Sequence, residues 1–246
     1  MVFVTYVRAY LGLAFSVLQT GVVSILVFLF SSIGQIKVAD WLIRIWARLW
    51  LVVFNVEVVI EKNEFAHGSQ GALYIFNHQS FYDIFAIHSV LRNTARFGAK
   101  IELFKIPVLN IGMRASGALP IARDNRREVF RVYAEAQKKF EQKWSFILAP
   151  EGTRQSEPQI GRFKKGPFIF AINAQVPLVP IVISGSYDVM PKNSFAINAG
   201  KWKRTVRVSF LAPIQTTGLT TEQASELADS TRSKFVEEYE RLEKLR

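Results

Sequence analysis

The stretch Tyr74–Asp83, YIFNHQSFYD, places His78 five positions before Asp83 and just after a short apolar run. A carboxylate that accepts the Nδ1–H of an imidazole fixes its tautomer and leaves Nε2 free as a general base. The chain has no cysteine and no Gly-x-Ser-x-Gly nucleophile motif. His78 and Asp83 are therefore candidate catalytic residues that would activate a substrate hydroxyl directly, without a covalent enzyme intermediate.

The same residues also have a purely structural interpretation. Ser80 followed by Asp83 is a variant of the helix capping box, at a point where a helix should begin. Asp83 would then serve the backbone, and His78 would be an ordinary loop residue. This stretch alone leaves the two interpretations equally open.

The elements around this motif are short β-rich runs that alternate with helical stretches after Asn55. The predicted strands are Val56–Ile60, Leu73–Phe76, Ala95–Ala99, Ala118–Ala122, Phe146–Ala149, Leu178–Ile183 and Val206–Phe210. The predicted helices are Ser80–Val90, Arg126–Gln142, Pro167–Ala174 and Thr221–Leu245. This order predicts an α/β fold, a largely parallel sheet flanked by helices. In such sheets ligands bind where strands end, which is where His78 stands.

The first 54 residues predict a membrane-embedded helical hairpin that precedes the α/β domain. Ala9–Ile36 is uncharged throughout and, as a helix, long enough to cross a bilayer. A turn at Ser31–Gly34 would lead to a second helix, Ala39–Phe54, whose tryptophans and arginines suit the headgroup layer. We therefore predict a membrane-anchoring two-helix segment, residues 1–54, and a catalytic domain, residues 55–246. Whether the first helix spans the bilayer or enters one leaflet stays open.

Charge and composition narrow the chemistry further. The net charge is +11, most of it within residues 55–220, which predicts an anionic partner such as a membrane surface, a phosphorylated substrate or a nucleic acid. With three histidines and no cysteine, no metal site is expected. Gly161 and Gly166 are spaced as in a phosphate loop, but Pro167 stands where that loop needs lysine, so Walker-type nucleotide binding is excluded.

Four blocks in this order resemble the glycerolipid acyltransferase family, in its 1-acylglycerol-3-phosphate acyltransferase branch. The blocks are the His-x4-Asp of His78 and Asp83, the pair Lys100–Pro107 and Gly117–Arg123, the Pro-Glu-Gly-Thr-Arg of Pro150–Arg154, and the proline-containing strand Val176–Ser184. The chain departs from the family pattern at Ala149, where phenylalanine is frequent, and at Pro120 and Ala122 in the second block.

The resemblance implies transfer of a fatty acyl group from a thioester to the sn-2 hydroxyl of lysophosphatidic acid, which gives phosphatidic acid in phospholipid biosynthesis. It implies that His78 is the general base and that Asp83 stabilises the imidazolium. It further implies substrate-phosphate binding by Lys100, Arg123 and Arg154, and acceptor positioning by Glu151, Gly152 and Thr153. Glu151 would either bind the glycerol hydroxyl or orient the arginine.

The same resemblance implies the partners. They are membrane lipids, lysophosphatidic acid and an acyl thioester donor, with acyl-CoA and acyl carrier protein as the two alternatives for the donor. No cofactor and no nucleic-acid partner are expected. The membrane is the expected location, on the cytoplasmic face of the inner membrane if the source is bacterial.

Three other functions compete with this one. Within the family, the acceptor could be glycerol-3-phosphate or another lysolipid. From a different class, the chain could be a non-catalytic, membrane-tethered binder of anionic lipid, although both members of the His-x4-Asp pair are present. A nucleic-acid binder is permitted by the basic body, but the apolar N-terminal segment and the lack of a recognisable module oppose it.

Overall fold

A computed structural model describes residues 2–66, 71–194, 197–198 and 200–246. The chain begins with two helices, α1 (Val2–Ser32) and α2 (Ile36–Val53), which pack against each other as a hairpin. Between them Gly34 takes a positive φ of 76°, a conformation that glycine adopts without a Cβ penalty. The predicted turn at Ser31–Gly34 is therefore confirmed.

The tryptophans of α2 differ from the expectation of a headgroup belt. Only Trp41 is exposed, while the indole N–H groups of Trp46 and Trp50 both point to the Thr20 hydroxyl of α1, at 2.8 and 3.3 Å. The ring of Trp50 also stacks on Phe85, with centroids 4.7 Å apart. Two of the three tryptophans thus pack within the protein, because a hydroxyl on the neighbouring helix satisfies their donors.

The body of the chain is a seven-stranded sheet in the order β1-β7-β6-β2-β5-β3-β4. The strands are β1 (Val56–Lys62), β2 (Leu73–Phe76), β3 (Ala95–Lys100), β4 (Leu119–Ile121), β5 (Ser145–Leu148), β6 (Leu178–Ser184) and β7 (Arg204–Phe210). Five strands, β4, β3, β5, β2 and β6, are mutually parallel, and β7 pairs antiparallel to β6 with β1 parallel to β7. All seven predicted strands and the largely parallel sheet are confirmed.

The helices flank this sheet as predicted, with two additions. They are α3 (Tyr82–Val90), α4 (Leu109–Ser116), α5 (Arg126–Gln137), α6 (Gly166–Ala174), α7 (Ser186–Val189) and α8 (Ala224–Glu243). Short 3₁₀ turns stand at Ile101–Lys105 and Thr221–Gln223. The prediction extended α5 to residue 142, but residues 138–143 form turns that end with Lys143 at a φ of 62°.

The prediction missed α4, a short helix that packs against α1. It has only eight residues, about two helical turns, and its position depends on a close approach of two backbones. A Cβ built on Gly112 would lie 2.7 Å from the Cα of Ser24, so only glycine allows the contact as it stands. The helix therefore depends on tertiary packing that its local sequence does not reveal.

The sheet carries a hydrophobic layer on each face. On one face α2 and α3 cover a cluster that includes Phe54, Phe76 and Ile147, and on the other α5, α6 and α8 cover a cluster that includes Phe146 and Phe168. Burial of both faces is the usual condition of a parallel sheet. Ligand sites are therefore confined to the edge where the strands end.

The hairpin and the body share one core. Leu51 and Phe54 of α2 are buried in the same cluster as the strands, and the Asp40 carboxylate of α2 lies 2.5 Å from the Arg96 guanidinium of β3, both side chains being buried. A division into an anchoring segment, residues 1–54, and a catalytic domain, residues 55–246, stays a prediction. The packing makes α2 a structural part of the sheet's covering layer.

The outer surface of α1 is apolar. Within the described residues, Val4–Ser32 is a helix long and apolar enough to cross a membrane by length and composition. Its exposed large side chains are Val4, Tyr6, Val7, Tyr10, Leu11, Phe15, Val17, Leu18, Val22, Ile25, Phe28 and Leu29. An apolar face this long on one helix is typical of a segment that contacts lipid.

Deletion of residues 1–54 is expected to give an aggregating body and not a soluble domain. The deletion removes Leu51 and Phe54 and uncovers the sheet face that they bury, at roughly 1.5–3 kcal/mol for each large side chain lost. It also leaves the Arg96 guanidinium without its buried carboxylate. The measurement is size-exclusion chromatography of the truncated chain without detergent, with the full chain in detergent as the reference. A monomeric, cooperatively unfolding truncation product would contradict this expectation.

Candidate active site

The loop after β2 is anchored to the neighbouring strand by Asn77. Its side-chain amide donates to the Ile183 carbonyl and its Oδ1 accepts from the Ile183 N–H, both at 2.8 Å. The Asn77 side chain therefore extends the hydrogen bonding between β2 and β6 beyond the point where the backbone pairing of the two strands ends. Residues 77–80, which follow β2 directly, are all buried as a result.

His78 and Asp83 meet as predicted. Nδ1 of His78 lies 2.8 Å from Oδ2 of Asp83, and the ring of Phe76 lies edge-on at 5.3 Å from the imidazole. Asp83 is completely buried, whereas the histidine side chain retains 9% of its exposure. An ionised carboxylate only accepts, so Nδ1 is the donor and the lone pair belongs to Nε2.

The capping interpretation is satisfied by the same carboxylate. Oδ2 of Asp83 also accepts from the backbone N–H groups of Gln79 and Ser80, at 2.8 and 2.9 Å. The Ser80 hydroxyl in turn accepts from the N–H of Tyr82, the first residue of α3, at 3.2 Å. The capping function and the orientation of the imidazole are thus one arrangement, and neither interpretation excludes the other.

Glu151 fixes the peptide of His78 from the loop that follows β5. Its Oε2 accepts from the His78 N–H and its Oε1 from the Gly161 N–H, both at 2.8 Å, and the residue is buried. The His78 carbonyl accepts from the N–H of Gln155 at 2.9 Å. Burial raises the pKa of Glu151 to about 7, against the opposite effect of these two N–H donors. The Glu151 carboxylate therefore binds the backbone of His78.

Arg154, at the end of the third block, lies over the ring of Phe81, with its Cζ 4.1 Å from the ring centroid. Burial lowers the pKa of this guanidinium, the charge of Asp83 raises it and the charge of Arg123 lowers it. Its Nη1 is buried and has no hydrogen-bond partner among the described residues. Arg154 thus presents an unsatisfied cationic donor close to the histidine–aspartate pair.

Arg123 and Lys100 stand at the ends of the adjoining strands. Lys100 ends β3 and pairs in register with Ile121 of β4, two residues before Arg123. Burial lowers the pKa of Arg123, and the carboxylates of Glu102 and Asp124 oppose that effect. Lys100 is half exposed and lies 3.4 Å from Glu102. The three predicted cations therefore occupy one edge of the sheet, with Arg154 nearest to the pair.

Gly152 and Thr153 complete the turn between Glu151 and Arg154. Gly152 has a φ of 73°, and a Cβ there would lie 3.0 Å from the Lys164 side chain. Thr153 is exposed, and its carbonyl accepts from the Gln155 side chain at 3.4 Å. The glycine makes the turn possible; an acceptor-positioning role for the two residues stays a prediction.

The sequence interpretation missed several residues of this site. Asn77, which prolongs β2, and Phe81, which supports Arg154, both lie inside the opening motif but do no acid–base chemistry. Gln79 is held by α8, since the Tyr239 hydroxyl donates to its side-chain oxygen at 3.4 Å. In the sequence, only their proximity to His78 pointed to Asn77 and Phe81, and nothing pointed to Tyr239.

The chain is similar in sequence to proteins named 1-acyl-sn-glycerol-3-phosphate acyltransferases. The chain is 30% identical over 202 residues to a chloroplastic 1-acyl-sn-glycerol-3-phosphate acyltransferase of Brassica napus, which covers 82% of this chain and 56% of that relative. It is 30% identical over 214 residues to the 1-acyl-sn-glycerol-3-phosphate acyltransferase of Saccharomyces cerevisiae, which covers 83% of this chain and 67% of the relative. The chain spans just over half the length of the Brassica protein.

A solved structure has the same fold. The crystal structure of a 1-acyl-sn-glycerophosphate (LPA) acyltransferase from Thermotoga maritima superposes with a TM-score of 0.79, covering 96% of this chain and 97% of that one at 23% identity. The family model named Acyltransferase matches residues 57–184, from the second residue of β1 to the end of β6, and this range includes every predicted site residue. Because that match extends over more than half of the 246 residues, this chain belongs to the acyltransferase family.

Proposed function

We propose that this protein transfers a fatty acyl group from an acyl thioester to the sn-2 hydroxyl of lysophosphatidic acid, forming phosphatidic acid. The observation that carries the proposal is the 2.8 Å contact between His78 Nδ1 and Asp83 Oδ2 at the carboxyl end of a parallel strand. Supporting it, two relatives at 30% identity are named 1-acyl-sn-glycerol-3-phosphate acyltransferases. The direct test is purified protein with lysophosphatidic acid and a panel of acyl thioesters, scored for phosphatidic acid.

In this proposal His78 is the general base. Nε2 takes the proton from the acceptor hydroxyl as the hydroxyl oxygen attacks the thioester carbonyl, and Asp83 stabilises the resulting imidazolium. The carbon–oxygen ester bond forms as the carbon–sulfur bond breaks, and the sulfur leaves as a thiolate that takes up the proton as a thiol. No residue of the chain becomes acylated.

The acceptor's phosphate would be held by Arg154, with Arg123 and Lys100 on the adjoining strand ends. The unpartnered Nη1 of Arg154 supports this role, because a buried guanidinium donor gains most from a bound oxyanion. The contact with the Phe81 ring, 4.1 Å from Cζ to the ring centroid, would hold the guanidinium in position for such a bond. The glycerol hydroxyl would then lie between Arg154 and Nε2 of His78.

We assign Glu151 a positioning role and not direct contact with the glycerol. Both of its oxygens are occupied by backbone N–H groups, one of them that of His78. Glu151 therefore fixes the backbone position of His78, whereas Asp83 fixes the orientation of its imidazole ring. Gly152 and Thr153 would contribute to acceptor positioning through the turn that they form.

The hairpin suits substrates that reside in a bilayer. The exposed apolar face of α1 would enter the membrane, and the basic body would face anionic headgroups. If the source is bacterial, we propose that the catalytic domain faces the cytoplasm at the inner membrane, with acyl-CoA and acyl carrier protein as the two alternatives for the donor. No cofactor takes part in the proposed reaction.

Loss of either member of the pair is expected to abolish most transfer. His78→Ala removes the base, and Asp83→Asn keeps an oxygen for the N–H groups of Gln79 and Ser80 but loses the charge that stabilises the imidazolium. We expect losses of about 10²- to 10⁴-fold in kcat, the usual contribution of a general base. The measurement is turnover per folded molecule.

Ser80→Ala is the matched control for this experiment. It removes the hydroxyl that accepts from the Tyr82 N–H and leaves the backbone donors to Asp83 in place. It should cost about 1 kcal/mol of stability with turnover of the folded protein retained. If Asp83→Asn behaved like Ser80→Ala, losing stability but not turnover, the pair would serve only to cap the helix.

Arg154→Ala is expected to weaken use of the acceptor and not of the donor. A hydrogen bond to a charged group contributes roughly 1.5–3 kcal/mol, so kcat/KM for lysophosphatidic acid should fall on the order of 10- to 100-fold. The exposed Arg131, which pairs with Glu128 on the surface of α5, provides the control variant Arg131→Ala. Equal losses for both substrates would reject the phosphate assignment.

Glu151→Gln is expected to slow turnover and to change the pH dependence of stability. An amide has one acceptor oxygen, so it cannot accept from both the His78 and the Gly161 N–H groups. Because the pKa of Glu151 in the folded protein is raised from 4.5 to about 7, the folded state holds the proton more tightly than the unfolded state. Its stabilising contribution is therefore present below about pH 4.5 and is lost as the pH rises to about 7.

The measurement is the free energy of unfolding of both proteins across that range. The stability of the natural chain relative to Glu151→Gln should fall as the pH rises, by at most about 3 kcal/mol. In the same preparations kcat should fall in Glu151→Gln with the KM for the acceptor little changed. A pH-independent difference in stability would contradict the raised pKa of Glu151, and a selective rise in the acceptor KM would show that Glu151 contacts substrate instead.

A further inference from the structure

A polar cavity of about 330 Å³ lies where β6 ends and β7 begins. Five cations line it, against a single carboxylate: Lys201, Lys203, Arg204, Arg207, Arg246 and Asp188. None of these residues belongs to the four sequence blocks or to the site around His78. An excess of cations around one concave surface is the usual chemistry of an anion site.

Three of the five cations already have carboxylate partners: Arg246 contacts Asp188, Arg207 contacts Glu61, and Lys203 contacts Glu57. Lys201 and Arg204 have no carboxylate within 4.0 Å among the described residues. Burial lowers the pKa of Arg204, and no neighbouring charge offsets that effect. The Nε of Arg204 is buried without a hydrogen-bond partner in the described structure. Two positive charges in this cavity are thus uncompensated.

The loop that carries Lys201 and Lys203 is held in place by the hairpin. Arg8 of α1 donates to the carbonyls of Lys201 and Trp202, at 3.1 and 2.7 Å, and its guanidinium lies 4.7 Å from the Trp202 ring. The Asn55 side chain donates to the same Trp202 carbonyl at 2.9 Å. The cations therefore project from a fixed backbone, which reduces the entropy lost when a ligand is bound.

The surroundings of the cavity favour a ligand at the membrane surface. Trp202 is 55% exposed between two lysines, and it lies beside the first turns of α1, where Val4 and Tyr6 are also exposed. Tryptophan flanked by lysine is typical of the layer between headgroups and acyl chains. The cavity would thus lie level with phosphate groups if α1 enters the bilayer.

We propose that this cavity binds a phosphomonoester, the headgroup chemistry of phosphatidic acid, through Arg204 and Lys201. A phosphomonoester carries close to two negative charges at neutral pH, which matches the two uncompensated cations. A guanidinium and a phosphate form paired hydrogen bonds, and the free Nε of Arg204 provides one of the donors.

This site is separate from the proposed acceptor site. The cavity lies at the end of β6 and the start of β7, whereas His78 and Arg154 follow β2 and β5, and no residue that lines the cavity belongs to the acceptor site. The Met190 carbonyl, which follows α7, accepts from the Ser80 hydroxyl at 2.9 Å and links the two regions. The proposal concerns binding and holds whether or not the transfer reaction is the one proposed above.

The test is calorimetric titration of the full chain in an uncharged detergent. All proteins carry Arg154→Ala, which weakens the proposed acceptor site equally in every variant that is compared. Short-chain phosphatidic acid and inorganic phosphate are titrated separately into this protein and into versions that add Arg204→Gln or Lys201→Gln. Lys138→Gln, which removes one exposed lysine from the end of α5, is the matched control for charge. Thermal unfolding of each variant verifies the fold.

Arg204→Gln is expected to weaken binding of phosphatidic acid on the order of 10-fold. Lys201→Gln, an exposed residue whose change leaves the fold intact, should weaken it in the same direction, and Lys138→Gln should not. Binding of phosphatidic acid alone identifies a lipid headgroup as the ligand, and equal binding of inorganic phosphate identifies a soluble phosphate. The proposal is overturned if neither variant weakens binding, or if both instead raise the KM for the thioester donor at unchanged phosphatidic acid affinity.

Discussion

A single buried oxygen, Oδ2 of Asp83, organises the centre of this protein. It receives the imidazole Nδ1 of His78 and the backbone N–H groups of Gln79 and Ser80. A completely buried carboxylate is unfavourable without hydrogen-bond donors, and the buried N–H groups of the loop are unfavourable without an acceptor. The start of α3 and the orientation of the imidazole consequently depend on the same ion. That coupling explains why a capping motif and a catalytic motif could not be told apart in the sequence.

The rest of the site supports this oxygen from three directions. Asn77 ties the loop to β6, Glu151 ties the His78 peptide to the end of β5, and Tyr239 of α8 reaches Gln79. Each contact comes from an element whose position is set by the sheet. The site is therefore a property of the parallel strand order, and a change far from His78 acts on it through one of these three contacts.

Local sequence patterns predicted the strands and four of the helices, and the spacing of His78 and Asp83 after a strand made their contact possible, because each of these features depends on neighbours in the chain. Interactions between distant segments were not predictable. The inward orientation of Trp46 depends on a hydroxyl of α1, and α4 depends on the close approach at Gly112. The cationic cavity could not be foreseen either, since it exists only because β7 enters the sheet antiparallel to β6.

The buried pair of Asp40 and Arg96 has a consequence for how the chain is made. Asp40 leaves the ribosome with the apolar hairpin, whereas Arg96 follows only after β2 and α3. Until β3 forms, the carboxylate on α2 lacks its countercharge, and full burial of that helix face is unfavourable. The hairpin can therefore reach its final packing against the body of the protein only after part of the sheet has formed.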